Sequence, residues 1–156
     1  MTRRLAIVWN PSKTDKDTLS EGLTVSLQED TTPEVSWWET TESDPGGDAT
    51  RRAVASEPDL IVVAGGDGTV RAVAEHLADI QSPIELGIVP LGTGNLLARN
   101  LDVPLNDIPA AFTRALTGTP RDVDMGWVDV DLTDGKERHG FVVMVGFGID
   151  AHMIAE

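Results

Sequence analysis

Short apolar runs recur along the N-terminal part of the chain, and longer amphipathic stretches separate them. Most of these runs lack polar alternation, which is typical of strands covered on both faces in a parallel sheet. Residues that break a strand follow each run, such as the asparagine and proline at positions 10 and 11. The runs predict strands over residues 5–9, 35–38, 60–64 and 86–89.

Between the predicted strands, apolar residues fall at helical spacing. The clearest case is 69–80, where Val70, Val73, Ala74 and Leu77 follow the i, i+3, i+4, i+7 pattern of a helix with one buried face. Further helices are predicted over 19–30 and 49–56, from near Asn95, and over 105–116. Alternating strands and helices favour an α/β fold with a doubly wound, mostly parallel sheet.

The pattern changes after about residue 119, where partial alternation of apolar and polar residues replaces the amphipathic stretches. A strand over 123–132, an Asp-Gly turn and a return strand over 140–145 would form an antiparallel hairpin. The sequence therefore predicts an α/β domain over 1–118 and the first strands of an incomplete β-rich domain over 119–156.

Composition narrows the class of protein without identifying it. The chain has no cysteine, so disulfides and thiolate metal sites are excluded, and its net charge is −14. Its longest apolar run, over 141–149, is too short for a membrane span, which takes about 20 residues. The negative charge argues against a nucleic-acid partner. It does not exclude ATP, because local backbone dipoles and a metal ion can outweigh a distant surface field.

Two of the predicted strands end in glycine-rich turns that lead into helices. Residues 65–69 (Gly-Gly-Asp-Gly-Thr) follow the third strand, and residues 92–95 (Gly-Thr-Gly-Asn) follow the fourth. Turns with so little side-chain bulk let backbone N–H groups approach a phosphate, and a helix N-terminus favours an anion. Two such turns close together predict a nucleotide site.

Asp67 in the first turn would repel a phosphate unless a cation lay between them. Mg²⁺ suits that position, because it usually binds one or two carboxylates together with phosphate oxygens and water. The alternative is that Asp67 or Thr69 only caps a helix. In the second turn Asn95 can also be a helix cap, and Arg99 could reach a phosphate or pair with Asp102.

Other phosphate and metal motifs are weaker or absent. Residues 10–13 (Asn-Pro-Ser-Lys) follow the first strand, where ligands of open α/β sheets gather, and both a phosphate contact and a solvated loop remain open there. The dinucleotide fingerprint fails because Arg71 stands where its third glycine is needed, and the P-loop signature is missing. The three histidines are scattered and form no metal triad.

With both turns present, the chain resembles the catalytic domain shared by bacterial and eukaryotic diacylglycerol kinases, sphingosine kinases and ceramide kinases. This resemblance rests on residues 65–69 and on residues 90–95, which Ala98 and Arg99 follow along the chain. The first turn also occurs in NAD kinases and phosphofructokinase-like enzymes, whereas the second favours the lipid kinases. Residues 10–12 are similar to the family's first phosphate loop, although Lys13 replaces its usual glycine.

The resemblance implies an NAD kinase/diacylglycerol kinase-like nucleotide domain and a β-sandwich lipid domain, with the site in the cleft between them. ATP and Mg²⁺ would be the cofactors, and Asp67 would be a catalytic residue, the acid linked to the metal or to phosphate. The residues expected to line ATP are Asn10, Thr40, Thr41, Gly65, Gly66, Asp67, Gly68, Thr69, Val70, Gly92, Thr93 and Asn95. Residues 146–151 are similar to an early β-domain motif, and the family's general base and structural Mg²⁺ site would lie outside this chain.

The leading hypothesis is transfer of the γ-phosphoryl group of Mg-ATP to a lipid hydroxyl, of diacylglycerol or a sphingoid lipid. The alternatives are a soluble-substrate kinase of the NAD kinase type and a non-catalytic module that binds nucleotide or senses lipid. The resemblance implies a cytoplasmic protein with transient contact to the membrane surface. A homodimer could form through the exposed edge of the β-rich domain.

Overall fold

The computed structural model describes residues 3–27 and 32–143. The strands in these residues are β1 (Arg4–Trp9), β2 (Glu34–Glu39), β3 (Leu60–Gly65), β4 (Glu85–Pro90), β5 (Gly126–Leu132) and β6 (Gly135–Phe141). The helices are α1 (Lys16–Ser26), α2 (Gly47–Ala55), α3 (Asp67–Asp79), α4 (Leu96–Asn100) and α5 (Ile108–Thr117).

Strands β1 to β4 form one parallel sheet in the order β2-β1-β3-β4. The chain first winds from β1 outward to β2 and then crosses back to β3 on the other side of β1. The point between β1 and β3 is therefore a topological switch point, and ligands of open α/β sheets bind beyond the strand ends at such a point. The predicted doubly wound α/β fold is confirmed.

Both faces of the sheet are buried, which explains why the strand sequences lack alternation. Ala6 and Val8 of β1 pack in one buried cluster with residues of α2, α3 and α4. Leu5 and Ile7 of the same strand pack in a second cluster with residues of α1 and α5. Neighbouring residues of a strand point to opposite faces, so each cluster occupies one side of the sheet. The domain thus has three layers, with the sheet in the middle.

Helix boundaries differ from the predictions where a polar side chain begins the helix. Helix α1 starts at Lys16 because Asp15 accepts a hydrogen bond from the Thr18 N–H at 2.8 Å. It ends at Ser26, earlier than predicted, since Leu27 is already extended. The last helix begins later than predicted because its N-cap is Asp107.

The C-terminal strands pair as an antiparallel hairpin, as predicted, but in a different register. The strand predicted over 123–132 begins only at Gly126. The return strand described is Gly135–Phe141 and it ends before residue 142, whereas residues 144 and 145 of the predicted 140–145 lie outside the described residues. The two-residue turn lies at positions 133–134, because Gly135, with φ of +148°, already belongs to β6.

One face of the hairpin carries charged pairs and an aromatic contact. Arg138 lies 4.2 Å from the centre of the Trp127 ring and 3.9 Å from Asp129. The hairpin is largely exposed. The division into domains at about residue 119 stays a prediction, and the motif predicted over 146–151 lies outside the described residues. Within the described residues, the helices are too short or too polar to cross a bilayer.

Candidate functional site

The loops after β1, β3 and β4 meet at the carboxyl edge of the sheet. The Leu91 N–H donates to the Gly65 carbonyl at 2.9 Å, which extends the β3–β4 pairing into the two glycine turns. The Asn10 N–H donates to the Ala64 carbonyl at 3.0 Å and brings the first loop alongside. The three predicted phosphate loops, over residues 10–13, 65–69 and 92–95, are therefore neighbours in space.

The two glycine turns touch through their backbones. A Cβ atom placed on Gly92 would lie 2.7 Å from the Gly66 Cα, and one placed on Gly66 would lie 3.3 Å from the Gly92 Cα. Atoms that close exclude a side chain at position 92. The contact between the turns therefore requires glycine at position 92, and a side chain at position 66 would press on the same backbone.

The start of α3 presents backbone donors. The first helical bond runs from the Val70 N–H to the carbonyl of the N-cap Gly66 at 3.0 Å. The N–H groups of Asp67, Gly68 and Thr69 precede it and have no acceptor within the described part of the chain. Three neighbouring donors at the positive end of a helix form a surface suited to an anion.

Gly68 differs from the other glycines of the turns. A Cβ atom added there would meet no described atom within 4 Å, whereas one added to Gly65 would lie 2.8 Å from the Thr69 Cβ. Glycine within a helix costs about 1 kcal/mol relative to alanine. The contacts of the fold give no reason for glycine at position 68, because the space that a side chain would take there is open.

The second turn is closed by its own side chains. The Asn95 carboxamide accepts the Gly92 N–H at 2.8 Å and donates to the Gly92 carbonyl at 2.7 Å. Asn95 itself is left-handed, with φ of 51°, a conformation in which asparagine is several-fold enriched. It is the N-cap residue of α4, as predicted, although its side chain bonds within the turn and not to the helix.

Arg99 adds a further bond to this turn, from its Nε to the Gly94 carbonyl at 2.7 Å. The alternative pairing with Asp102 is not found among the described residues. After these bonds, the N–H groups of Thr93 and Gly94 are the donors of the second turn that lack a partner in the described ranges. The Thr93 side chain is exposed beside them.

Asp67 joins the two turns. One oxygen of its carboxylate accepts the Asn95 N–H at 2.8 Å, and the other accepts the Leu96 N–H at 2.7 Å. Asp67 is thus a helix cap, as the alternative interpretation held, but it caps α4 and not its own helix. Sequence reasoning missed this bond because its partners are backbone amides, which carry no side-chain signature.

The described residues contain no group of three or more His, Cys, Asp or Glu side chains placed to hold a metal ion. Asp67 alone stands at the glycine turns, and each of its oxygens keeps a lone-pair position beyond the N–H it accepts. A metal at Asp67 would therefore need further ligands from phosphate and water. Mg²⁺ normally binds in that way, so the residues fit this ion only together with a nucleotide.

Thr40 and Thr41 lie at the same edge, after β2. Thr40 is buried, and its N–H donates to the Trp9 carbonyl at 2.9 Å. Thr41 forms a turn with Asp44, whose N–H donates to the Thr41 hydroxyl at 3.1 Å. Both threonines therefore have a role in the fold, and the β1 strand separates them from the glycine turns.

Asp44 caps the N-terminus of α2, and sequence reasoning also missed this cap. Its carboxylate accepts the N–H groups of Gly46 at 3.2 Å and of Asp48 and Ala49 at 3.0 Å each. Partial burial acts to raise the pKa of Asp44, but these backbone donors outweigh it and lower the pKa below the ordinary value of 3.8.

The first loop is folded on itself. The Asn10 carboxamide oxygen accepts the Ser12 N–H at 2.9 Å and the Ser12 hydroxyl at 2.8 Å. Its amide nitrogen points to the Thr69 hydroxyl at 3.5 Å, the long limit of a hydrogen bond. Asn10 therefore links this loop to the first glycine turn. Lys13 is exposed in the loop, whereas Lys16 lies over the Trp37 ring at 5.4 Å.

Comparison with known proteins identifies the family of the chain. The family model for the diacylglycerol kinase catalytic domain matches residues 4–128. The diacylglycerol kinase of Bacillus subtilis is 35% identical over 129 residues, which are 81% of this chain and 42% of that protein. A Pseudomonas aeruginosa protein named "Probable lipid kinase YegS-like" is 42% identical over 98 residues, covering 61% and 32% of the two chains.

A solved structure shares the fold as well. The crystal structure of a diacylglycerol kinase from Bacillus anthracis aligns with a TM-score of 0.54 and 32% identity, over 81% of this chain and 46% of that one. The chain spans less than half the length of each of these relatives. The matched region contains both glycine turns and the whole parallel sheet. The chain therefore belongs to the diacylglycerol kinase catalytic domain family.

Proposed function

We propose that the protein is an ATP-dependent lipid kinase that transfers the γ-phosphoryl group of Mg-ATP to a lipid hydroxyl such as that of diacylglycerol. The observation that carries this proposal is the contact between the two glycine turns at Gly66 and Gly92. It places two sets of unbonded backbone donors side by side in a chain of the diacylglycerol kinase family.

Catalysis of phosphoryl transfer is mostly positioning and charge neutralisation. In the proposed site, the N–H groups at the start of α3 and those of Thr93 and Gly94 would hold phosphate oxygens. The α3 macrodipole adds a positive field equivalent to about half an elementary charge at its N-terminus. Gly68 keeps this surface free of side chains. Together these effects orient the phosphates and offset the unfavourable free energy of bringing their negative charges together.

Asp67 would hold Mg²⁺ together with phosphate oxygens and water. When bound, the ion would neutralise charge that develops on the transferred group. The N–H bonds from Asn95 and Leu96 already offset part of the carboxylate's own charge. This offset allows an acid to stand beside a phosphate site.

The remaining predicted contacts form the surroundings of the phosphates. Thr69 is buried beneath the turn, within reach of the Asn10 amide. Val70 is buried in the core below it, so its proposed part is to support the turn. Thr40 and Thr41 are proposed to face the nucleotide from the end of β2.

The acceptor is proposed to be a lipid because the second glycine turn resembles that of the lipid kinases. A lipid acceptor requires transient contact with a membrane surface. The net charge of −14 opposes long-range attraction to an anionic bilayer, so the contact would depend on a local surface. Association as a homodimer and a cytoplasmic, membrane-peripheral location stay predictions.

The first test is calorimetric titration of this chain with ATP in the presence of Mg²⁺. We expect saturable binding with one nucleotide per chain. The second test gives γ-labelled ATP and Mg²⁺ to the complete gene product, with diacylglycerol, sphingosine, ceramide or NAD as acceptor. Transfer to a lipid supports the proposal, transfer to NAD alone supports the NAD kinase type, and nucleotide binding without any transfer supports a non-catalytic module.

A further inference from the structure

Asp67 is the residue through which the first glycine turn holds the second. Its two carboxylate oxygens accept two successive backbone amides, those of Asn95 and Leu96, at 2.8 and 2.7 Å. These amides lie 28 and 29 positions further along the chain. No other side chain in the described ranges bonds one glycine turn to the other.

The remaining bonds of the second turn do not replace this connection. Asn95 bonds to Gly92, and Arg99 bonds to Gly94, so both close the turn on itself. The turn could keep this internal shape and still move relative to α3. The Asp67 bonds oppose that movement, together with the backbone contact at Gly66 and Gly92, the Leu91–Gly65 bond and the packing of α4 in the core.

We propose that Asp67 is a positioning residue that locks the second glycine turn against the first, and that this role is independent of a metal ion. The inference deepens the proposed function, because the ligand positioned by the two turns is taken to be ATP. Without the lock, the N–H groups of Thr93 and Gly94 would lose their fixed position beside those of α3.

The two roles of Asp67 make opposite predictions for metal-free nucleotide. If Asp67 acts only as a metal ligand, its negative charge repels metal-free phosphate. Neutralising it would then leave the affinity for ATP in EDTA unchanged or improve it. If Asp67 positions the second turn, the same change weakens ATP binding with and without Mg²⁺.

The test uses Asp67→Asn, which keeps the shape of the side chain. The NH2 of the asparagine carboxamide cannot accept an N–H, whereas its oxygen can, so at least one of the two bonds is lost. The matched control is Asp79→Asn, at the other end of α3, where an exposed carboxylate without a partner in the described residues is neutralised. Both variants lose one negative charge from the same helix.

The first readout is amide hydrogen exchange at Asn95 and Leu96, measured by NMR on the nucleotide-free chain. Loss of a charge-assisted hydrogen bond should speed exchange at these amides about tenfold or more in Asp67→Asn. Asp79→Asn should leave it unchanged. Unchanged exchange in Asp67→Asn overturns the inference, and this result does not depend on whether ATP is the ligand.

The second readout is the Kd of ATP in EDTA and in Mg²⁺. We expect Asp67→Asn to raise both values about tenfold, for the same lost bond. A loss confined to Mg²⁺ overturns the positioning role and favours metal ligation alone. If the unaltered chain binds no ATP under either condition, the proposed function fails while the exchange result still decides the inference.

Gly94→Ala tests the lock from its other side without changing any charge. The added Cβ would lie 2.8 Å from the Asp67 Oδ2, so the carboxylate and the turn would have to move apart. We expect faster exchange at the Asn95 and Leu96 amides and weaker ATP binding in EDTA, as in Asp67→Asn. Exchange and affinity equal to those of the unaltered chain contradict the proposal.

Discussion

The start of α3 differs from the start of every other helix in the described residues. Each of the other helices has an aspartate that accepts its first amides: Asp15 for α1, Asp44 for α2, Asp67 for α4 and Asp107 for α5. Helix α3 has Gly66 as its N-cap residue and therefore no side-chain cap. The chain therefore caps its other described helices with aspartates, whereas the carboxylate in the first turn of α3, Asp67, bonds to the start of α4.

The difference teaches how α3 can do without a cap. An N-cap contributes about 1 kcal/mol, which a helix can replace by packing. Helix α3 is the longest of the described helices, and Val70, Val73 and Leu77 are buried in the core. Packing thus stabilises this helix, and its first three amides stay unbonded for a ligand. Substitutions at single glycines and caps can separate the residues that stabilise the fold from those that bind the ligand.

The largest effect is expected from Gly92→Ala. The new Cβ would lie 2.7 Å from the Gly66 Cα and 2.9 Å from the Asn95 carboxamide oxygen, so the two turns would be forced apart. We expect the free energy of unfolding to fall by about 1–3 kcal/mol, the usual cost of overpacking. Urea denaturation measures it, and stability equal to that of the unaltered chain would show that the turns tolerate separation.

Gly68→Ala should separate fold from function. Its Cβ has open space, and alanine favours the helix, so stability should stay constant or rise by up to about 1 kcal/mol. The methyl group would take up open space in the first turn of α3, where we propose that phosphate binds, so ATP affinity should fall about tenfold through loss of a charge-assisted hydrogen bond. Urea denaturation and calorimetry measure the two effects.

The matched control for Gly68→Ala is Gly47→Ala at the start of α2. There the added Cβ makes only an ordinary contact, 3.7 Å from the Asp44 carboxylate. Because Asp44 already occupies the amides of α2, alanine at position 47 should leave ATP affinity unchanged. Equal loss of affinity in both variants would show that the uncapped start of α3 has no special part in binding.

Sequence patterns predicted the sheet well because burial on both faces leaves a strong signal. The runs at 5–9 and 60–64 fall within β1 and β3, which lie at the centre of the sheet. The hairpin was placed less accurately, since its strands are exposed and their alternation is incomplete. There the turn moved by one residue, so that Gly135 begins β6 and does not end the turn.

The candidate site could be predicted in its parts but not in its connections. Glycine-rich turns are visible in a sequence, and parallel strands predict that their carboxyl ends meet. The bond from Asp67 to the Leu96 amide is not visible, because any residue except proline supplies the same N–H. The bond from Arg99 to the Gly94 carbonyl is not visible either, because every residue supplies the same carbonyl.

Asp107→Ala should remove a cap without touching the proposed site. The Asp107 carboxylate accepts the Ala110 N–H at 2.9 Å at the start of α5. We expect a loss of about 1 kcal/mol in the free energy of unfolding, measured with urea, and an unchanged Kd for ATP. Asparagine at the same position can also cap, so Asp107→Asn should restore most of the stability. Weaker ATP binding in Asp107→Ala would mean that capped helix starts also affect the site.

The smallest effect is a pH dependence at the cap of α2. Backbone donors lower the folded-state pKa of Asp44 below 3.8, even though partial burial acts to raise it. A carboxylate with a depressed pKa contributes stability that is fully present above its unfolded pKa. This contribution is lost as the pH falls through the folded pKa. Comparing the unaltered chain with Asp44→Asn by urea denaturation should therefore show a stability difference at neutral pH that shrinks below about pH 4.

The control for this comparison is Asp79→Asn, which lacks a described hydrogen-bond partner and should change stability little at any pH. A difference between the unaltered chain and Asp44→Asn that stays constant into the acid range would contradict the prediction. It would mean that the α2 donors bind the neutral acid as well as the carboxylate. The charge of the cap would then be irrelevant, and α2 and α3 would differ only in whether their amides are occupied. The comparison between the two helix starts would then rest on hydrogen bonding alone.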